Sequence, residues 1–420
     1  MKRLVAISIM FLATSAGSFA DDVQHSRQLQ REASAALQAD DFPLFLQKIS
    51  AAKDLRPTHP TLLMLYAGAL ALNGREEDAL SQIERVGRMG MVYAPEKEPM
   101  FRSLLTSPRF IAATETFRAN AAPAGAAKVA FTVPRKGLIT EGLARDPVSG
   151  TFYVGSVRQH AVFAVKPHRS MTKFVELPLG AFGMAVDARH GVLWVASSSL
   201  PQVAGFNAAS SDRAAVVKVN LRTGRILETF DAPEGKHLFG DLTVASDGDV
   251  YVTDSTTPAI YRLHSGKLEE WFRGEPFIAL QGLAFSEGDR ILYVSDYSKG
   301  LYAIDVRTRD AAALTVPSDA TLLGVDGIYR SGTRTLIGVQ NGTDPNRIVR
   351  IELGADGLSV KKVTSLAANR APMEDPTLGV MAGTDFYFNG AGQWELFDDT
   401  GKVKDETSLH EGVVLRVPVR

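Results

Sequence analysis

The 420-residue chain contains no cysteine. No disulfide can brace it in any redox compartment, and zinc or iron sites built on thiolates are excluded. It also lacks an excess of one charge, since 46 Lys and Arg stand against 47 Asp and Glu. Without a basic excess or stripe, the footprint of a nucleic-acid binder is missing. Beyond the first twenty residues no apolar run reaches the ~20 residues that a membrane helix needs, so no membrane span is expected. The fingerprints of several chemistries are absent too. There is no Gly-x-Ser-x-Gly elbow, phosphate loop, His-Glu-x-x-His helix or dinucleotide fingerprint, and no WD or heptad signature.

What is present starts with an address. Lys2 and Arg3 precede an apolar run from Leu4 to Ala16, then Ser18-Phe19-Ala20 and Asp21-Asp22. This is the pattern of a secretory signal peptide over residues 1–20, with cleavage after Ala20. The mature protein is therefore expected in the periplasm or outside the cell. Loss of Lys2 and Arg3 leaves 44 basic residues against 47 acidic ones, a net charge of −3. The remainder exceeds one typical domain.

Residues 21–118 read as helical. Leu62, Leu65, Tyr66, Ala69 and Leu70 recur at three and four residues, Thr58 and Pro60 mark a helix start, and Asn73-Gly74 marks its end. The stretch Ala71 to Leu80 resembles a tetratricopeptide-type hairpin, and Ala36-Leu37 precedes Ala71-Leu72 by 35 residues, near the ~34-residue period of that repeat. Such hairpins would serve as a cover for the rest of the molecule or as a groove for a protein partner. Residues 119–128, rich in Ala, Pro and Gly without a hydrophobic period, read as a linker.

From residue 129 to 420 one pattern repeats: a small or acidic residue, Gly and an apolar pair, a turn, then an apolar-aromatic strand. The copies are Glu141-Gly142-Leu143-Ala144, Gly183-Met184-Ala185-Val186, Gly240-Asp241-Leu242-Thr243, Gln281-Gly282-Leu283-Ala284, Asp326-Gly327-Ile328 and a degenerate sixth from Asp375-Pro376-Thr377. Their starts lie 42, 57, 41, 45 and 49 residues apart, the length of a four-stranded propeller blade. The long second interval reflects a polar insertion, Gln202 to Arg213, expected as a loop on one face. The fold class is thus mainly β: a six-bladed β-propeller preceded by a small all-α helical-repeat domain.

In a propeller the innermost strand of each blade starts at the central channel, so the openers share one ring at one face. That ring reads Glu141, Gly183, Gly240 with Asp241, Gln281, Asp326 and Asp375. Crowded carboxylates raise each other's pKa unless a cation sits among them. Oxygen donors without thiolate favour a hard divalent cation, calcium first. Otherwise the acids satisfy backbone N–H groups at the blade tops.

These copies, with Glu141 in Glu-Gly-Leu, Gln281 in Gln-Gly-Leu and Asp326 in Asp-Gly-Ile, resemble the gluconolactonase and regucalcin family of six-bladed propellers over about Lys136 to Arg420. The resemblance implies a metal held by Glu141, Gln281 and Asp326, with Asp326 also serving the chemistry. Gln281 stands where the family usually has Asn. The stretch Leu238-Phe239-Gly240-Asp241 aligns with the family's Arg-x-Asn-Asp segment for substrate and lacks both the Arg and the Asn.

Asp241, His237, Asp375 and Asp296 are the candidate contacts to a small-molecule substrate. Asp254 and Asp296 end the second strands of their blades on the same face, where an Asp also caps the following turn. His237 lies in the loop before blade three, as an exposed histidine or a substrate contact. Two functions fit these residues: a metal-dependent hydrolase of lactones or related esters, and a non-catalytic scaffold for proteins or peptides with a structural metal.

Overall fold

A computed structural model describes residues 21–166, 171–208, 211–274 and 277–420. The expected signal segment, residues 1–20, lies outside the described residues. Among the described residues five α-helices come first: α1 (Asp21–Gln38), α2 (Phe42–Leu55), α3 (Pro60–Leu72), α4 (Glu76–Arg88) and α5 (Pro108–Ala121). Their starts follow from local chemistry. Asp41 caps α2 by accepting the Leu44 N–H at 3.1 Å, which fills one of the donors a helix start leaves unpaired. Pro60 and Pro108 open α3 and α5, where a missing N–H is harmless. Glu76, Glu77 and Asp78 lie at the positive end of α4. The apolar α3 is buried along most of its length and packs with Ile83, Val86, Phe101, Phe110 and Phe117.

The segment read as a linker carries structure of its own. Helix α5 continues to Ala121, and Ala124–Gly125 pairs antiparallel with Ala367 and Ala368 as a fifth strand on a propeller blade. A Cβ on Gly125, where φ is +81°, would lie 1.9 Å from the Leu366 carbonyl oxygen. At Gly125 the absence of a side chain is a packing requirement.

Six antiparallel sheets follow, each of four strands apart from that added one. Blades one to five use consecutive strands. Blade six takes its inner three from Gly379–Ala382, Asp385–Asn389 and Glu411–Pro418, and its outermost strand is Lys128–Lys136 from the other end of the propeller. Val133 of that strand is buried with Leu143, Phe152 and Val414, so apolar burial bolts blade six to blade one. The insertion 202–213 lies between the second and third strands of blade two, Val192–Ser198 and Ala214–Asn220, on the face where the inner strands begin. No helix among the described residues is long and apolar enough to cross a membrane.

One irregularity recurs. In each of blades one to five the pairing of the inner strand slips near its start: between Thr140 and Leu143, Ala181 and Met184, Phe239 and Leu242, Leu280 and Leu283, Val325 and Ile328. The slipped pairs are Glu141-Gly142, Phe182-Gly183, Gly240-Asp241, Gln281-Gly282 and Asp326-Gly327. The repeated motif is therefore a β-bulge, which re-aims side chains out of the sheet. Its glycine sits against the next blade: a Cβ on Gly142 would lie 2.0 Å from the Phe182 carbonyl oxygen, and one on Gly282 would lie 2.5 Å from the Ile328 nitrogen.

Candidate functional site

The bulges bring Glu141, Asp241, Gln281 and Asp326 to one end of the channel, and Asp375 joins them from the segment before blade six. Blade two departs from the expected ring, because its opener is Phe182. Gly183 takes the second bulge position and makes room for Asp241, whose Oδ1 would lie 2.3 Å from a Cβ placed there. In blade three the order is reversed, so the acid occupies the position that is glycine in its neighbours.

Asp241 and Asp326 are buried, while Glu141, Gln281 and Asp375 keep part of their surface open to the channel. Burial pushes the Glu141 carboxyl well above its usual range, and Asp326, Asp375 and Asp241 push it further. Burial likewise raises Asp241, reinforced by Asp326. Asp375 is raised to about 7 by burial, Glu395 and Asp326, and Asp326 to about 6 by burial, tempered by a hydrogen bond from Asn341. Every charged neighbour named in these shifts is another carboxylate.

The chain's own hydrogen bonds to the ring are few. Trp394 Nε1 donates to Glu141 Oε2 at 2.8 Å. Asn341 Nδ2 donates to Asp326 Oδ2 at 2.9 Å and to the Pro376 carbonyl at 2.9 Å. The Leu242 N–H donates to Asp241 Oδ1 at 2.8 Å. Asn341 Oδ1 is buried without a hydrogen-bond partner. Such an acceptor, next to unneutralised carboxylates, makes a hard-oxygen donor set suited to a divalent cation. Among the described residues no three acidic or imidazole side chains already converge on one point.

Asn341 and Trp394 carry no signal in the repeat. Asn341 follows the second strand of blade five, and Trp394 lies in a long connection, residues 390–410, within blade six. That connection crosses the mouth as a strap. Arg158 Nη1 donates to the Gly401 carbonyl at 3.0 Å, Gln202 Nε2 donates to the Asp398 carbonyl at 3.1 Å, and Phe397 is buried beside Phe182, Val203 and Phe239.

Two candidates fall elsewhere. Asp296 is fully buried and accepts the backbone N–H groups of Ile278, Ala279, Ser298 and Lys299 at 2.6–3.1 Å. Ser156, Ser198, Asp254, Asp296 and Gln340 all end second strands opposite the inner strand; Ser198 bonds the backbone of Phe239 in the next inner strand, and the other four bond loop backbone. Asp296 is therefore a turn cap, with both carboxylate oxygens taken by backbone N–H groups. His237 is 6 % exposed rather than an open loop residue, because Asp254 Oδ2 meets its Nδ1 at 2.6 Å and Phe239 and Tyr261 pack on its ring. Asp254 caps its turn as expected, through Leu238, Thr256 and Thr257.

No protein-family model matches the sequence, and no curated protein is similar to it. Similar solved structures include a gluconolactonase of Xanthomonas campestris, at 16 % identity, covering 71 % of this chain and 92 % of that one, with a TM-score of 0.49. A calcium-binding regucalcin of Agrobacterium tumefaciens is 18 % identical, with 70 % and 96 % covered and a TM-score of 0.48. A virginiamycin B lyase of Staphylococcus aureus is 14 % identical, with 70 % and 100 % covered and a TM-score of 0.48. The residues at the mouth, rather than these likenesses, carry the functional argument.

Proposed function

We propose that the protein is an exported, metal-dependent hydrolase of lactones or related esters, acting where the propeller channel opens beneath the strap. The observation that carries this reading is the ring of Glu141, Asp241, Asp326 and Asp375, raised in pKa by burial and by one another. Glu141, Gln281 and Asp326 would hold the cation, calcium first, with Asn341 Oδ1 as a further oxygen donor. Such a cation supplies the positive charge that polarises a carbonyl and steadies the oxyanion.

The chain's own groups divide the remaining work. Burial raises the Asp326 carboxyl to about 6 in the cation-free ring, so it is mostly ionised at neutral pH, and its carboxylate would take the proton from an attacking water. The Asn341 amide donates to one of its oxygens, Oδ2. Trp394 fixes the Glu141 carboxylate through its indole N–H. Asp241 and Asp375 line the mouth as contacts to substrate hydroxyls. Burial and the ring acids keep the Tyr297 phenol in its protonated, donating form.

The test is a panel of lactones and aryl esters, assayed with the purified mature protein and with Asp326→Asn. Hydrolysis that a chelator abolishes, calcium restores and Asp326→Asn lowers at least about a hundredfold is expected. Hydrolysis that survives both treatments would reject these roles.

A further inference from the structure

Two loops at the mouth carry the side chains that flank Asp326, and the helical layer grips both. Asn341 heads the loop 341–346 of blade five, and Tyr297 heads the corresponding loop of blade four. The loops touch, since a Cβ on Gly342 would lie 2.7 Å from Tyr297 Oη. From the helical side, Arg56 Nη2 donates to the Ser298 carbonyl at 2.8 Å, and the Val92 N–H donates to the Asp344 carbonyl at 2.8 Å.

Arg347 forms the centre of this grip. It is 4 % exposed, donates through Nη1 to the Met89 carbonyl at the end of α4 (2.8 Å), and through Nε to Gln340 Oε1 (2.7 Å). Gln340 immediately precedes Asn341 and is itself tied through Nε2 to the Thr321 and Leu323 carbonyls. Gly90, with φ at +77°, approaches so closely that a Cβ would lie 2.6 Å from Arg347 Nη1. The path from helix to acid is thus Met89, Arg347, Gln340, Asn341, Asp326. A planar fork reaching two acceptors in different directions suits arginine and not lysine.

We infer that Arg347 is a positioning residue for Asp326, and that the helical layer acts as an internal brace for the mouth loops. This rests on the reading of the acidic ring as a cation site. The test uses the full mature chain as wild type, Arg347→Met, Asn341→Ala, the double variant, and Arg109→Ala as a control whose partners Glu77 and Glu84 lie within the helical layer. Calcium affinity is measured by titration calorimetry, and the melting temperature is measured in chelator.

Arg347→Met is expected to weaken calcium binding about tenfold or more, the usual effect of losing a group that orients a metal ligand. The double variant should bind no more weakly than Asn341→Ala alone, because Arg347 acts through Asn341. Arg109→Ala should lower the melting temperature and leave calcium affinity unchanged. If Arg347→Met fails to fold, Arg347→Lys, which keeps the charge and loses the fork, is read in the same way. Wild-type affinity in a folded Arg347 variant, or losses that multiply in the double variant, would overturn the inference alone. A wild type that binds no calcium would overturn both the cation site and the brace that serves it.

Discussion

Gly183 and Gly240 sit in adjacent bulges, yet their hydrogens face different surroundings. A Cβ on Gly183 would lie 2.3 Å from Asp241 Oδ1 and 2.5 Å from its Cα, whereas one on Gly240 would meet only Ser255 Oγ at 3.3 Å and Gln281 Oε1 at 3.5 Å. Overpacking of this kind costs about 1–3 kcal/mol. Gly183→Ala should therefore lose stability by that amount in denaturant titration and displace Asp241, while Gly240→Ala should lose no more than about 1 kcal/mol. Equal losses would mean that the bulges are not packed as described. Glu141, Gln281 and Asp326 were legible in the sequence because one bulge recurs with its glycine at a fixed offset. Asn341 and Trp394 were not, because nothing in the period marks a residue one position past a strand or inside a unique connection. For Asp296, strand pairing gives the face but not whether backbone amides occupy the carboxylate, as four do here.

At the scale of elements, the strap and the closing strand are the parts that the repeat conceals. The degenerate sixth copy hid both: residues 390–410 interrupt the blade, and Lys128–Lys136 completes it from a distance in sequence. The helix boundaries near Pro60 and Asn73-Gly74 were readable from capping chemistry, whereas the pairing of Ala124–Gly125 with blade five within the segment 119–128 was not, because a two-residue strand leaves no period to read. Phe397 anchors the strap at 4 % exposure among Phe182, Val203 and Phe239. Phe397→Ala should cost about 3–5 kcal/mol and loosen Trp394 from Glu141. Equilibrium unfolding and tryptophan emission would show this, and an unchanged emission with unchanged stability would contradict the strap's anchoring.

For the whole molecule the acidic ring sets a balance that pH and a cation move in opposite directions. Asp326 and Asp375 titrate at about 6 and about 7 in the folded protein, above their ordinary 3.8. Between those values the folded state holds more protons than the unfolded one. Their contribution to stability is therefore complete below pH 3.8 and is lost as pH rises through 6 and 7. A cation bound only by the folded, deprotonated ring restores stability where the protons have left, by about 2.7 kcal/mol at one hundred times its dissociation constant. Thermal melting at pH 5 and pH 8, each with chelator and with millimolar calcium, tests the ring directly. In chelator the melting temperature is expected to be lower at pH 8 than at pH 5, and calcium should raise it by several degrees at pH 8 and by less at pH 5. Identical melting with chelator and with millimolar calcium at pH 8 would contradict a calcium site at the mouth of this propeller.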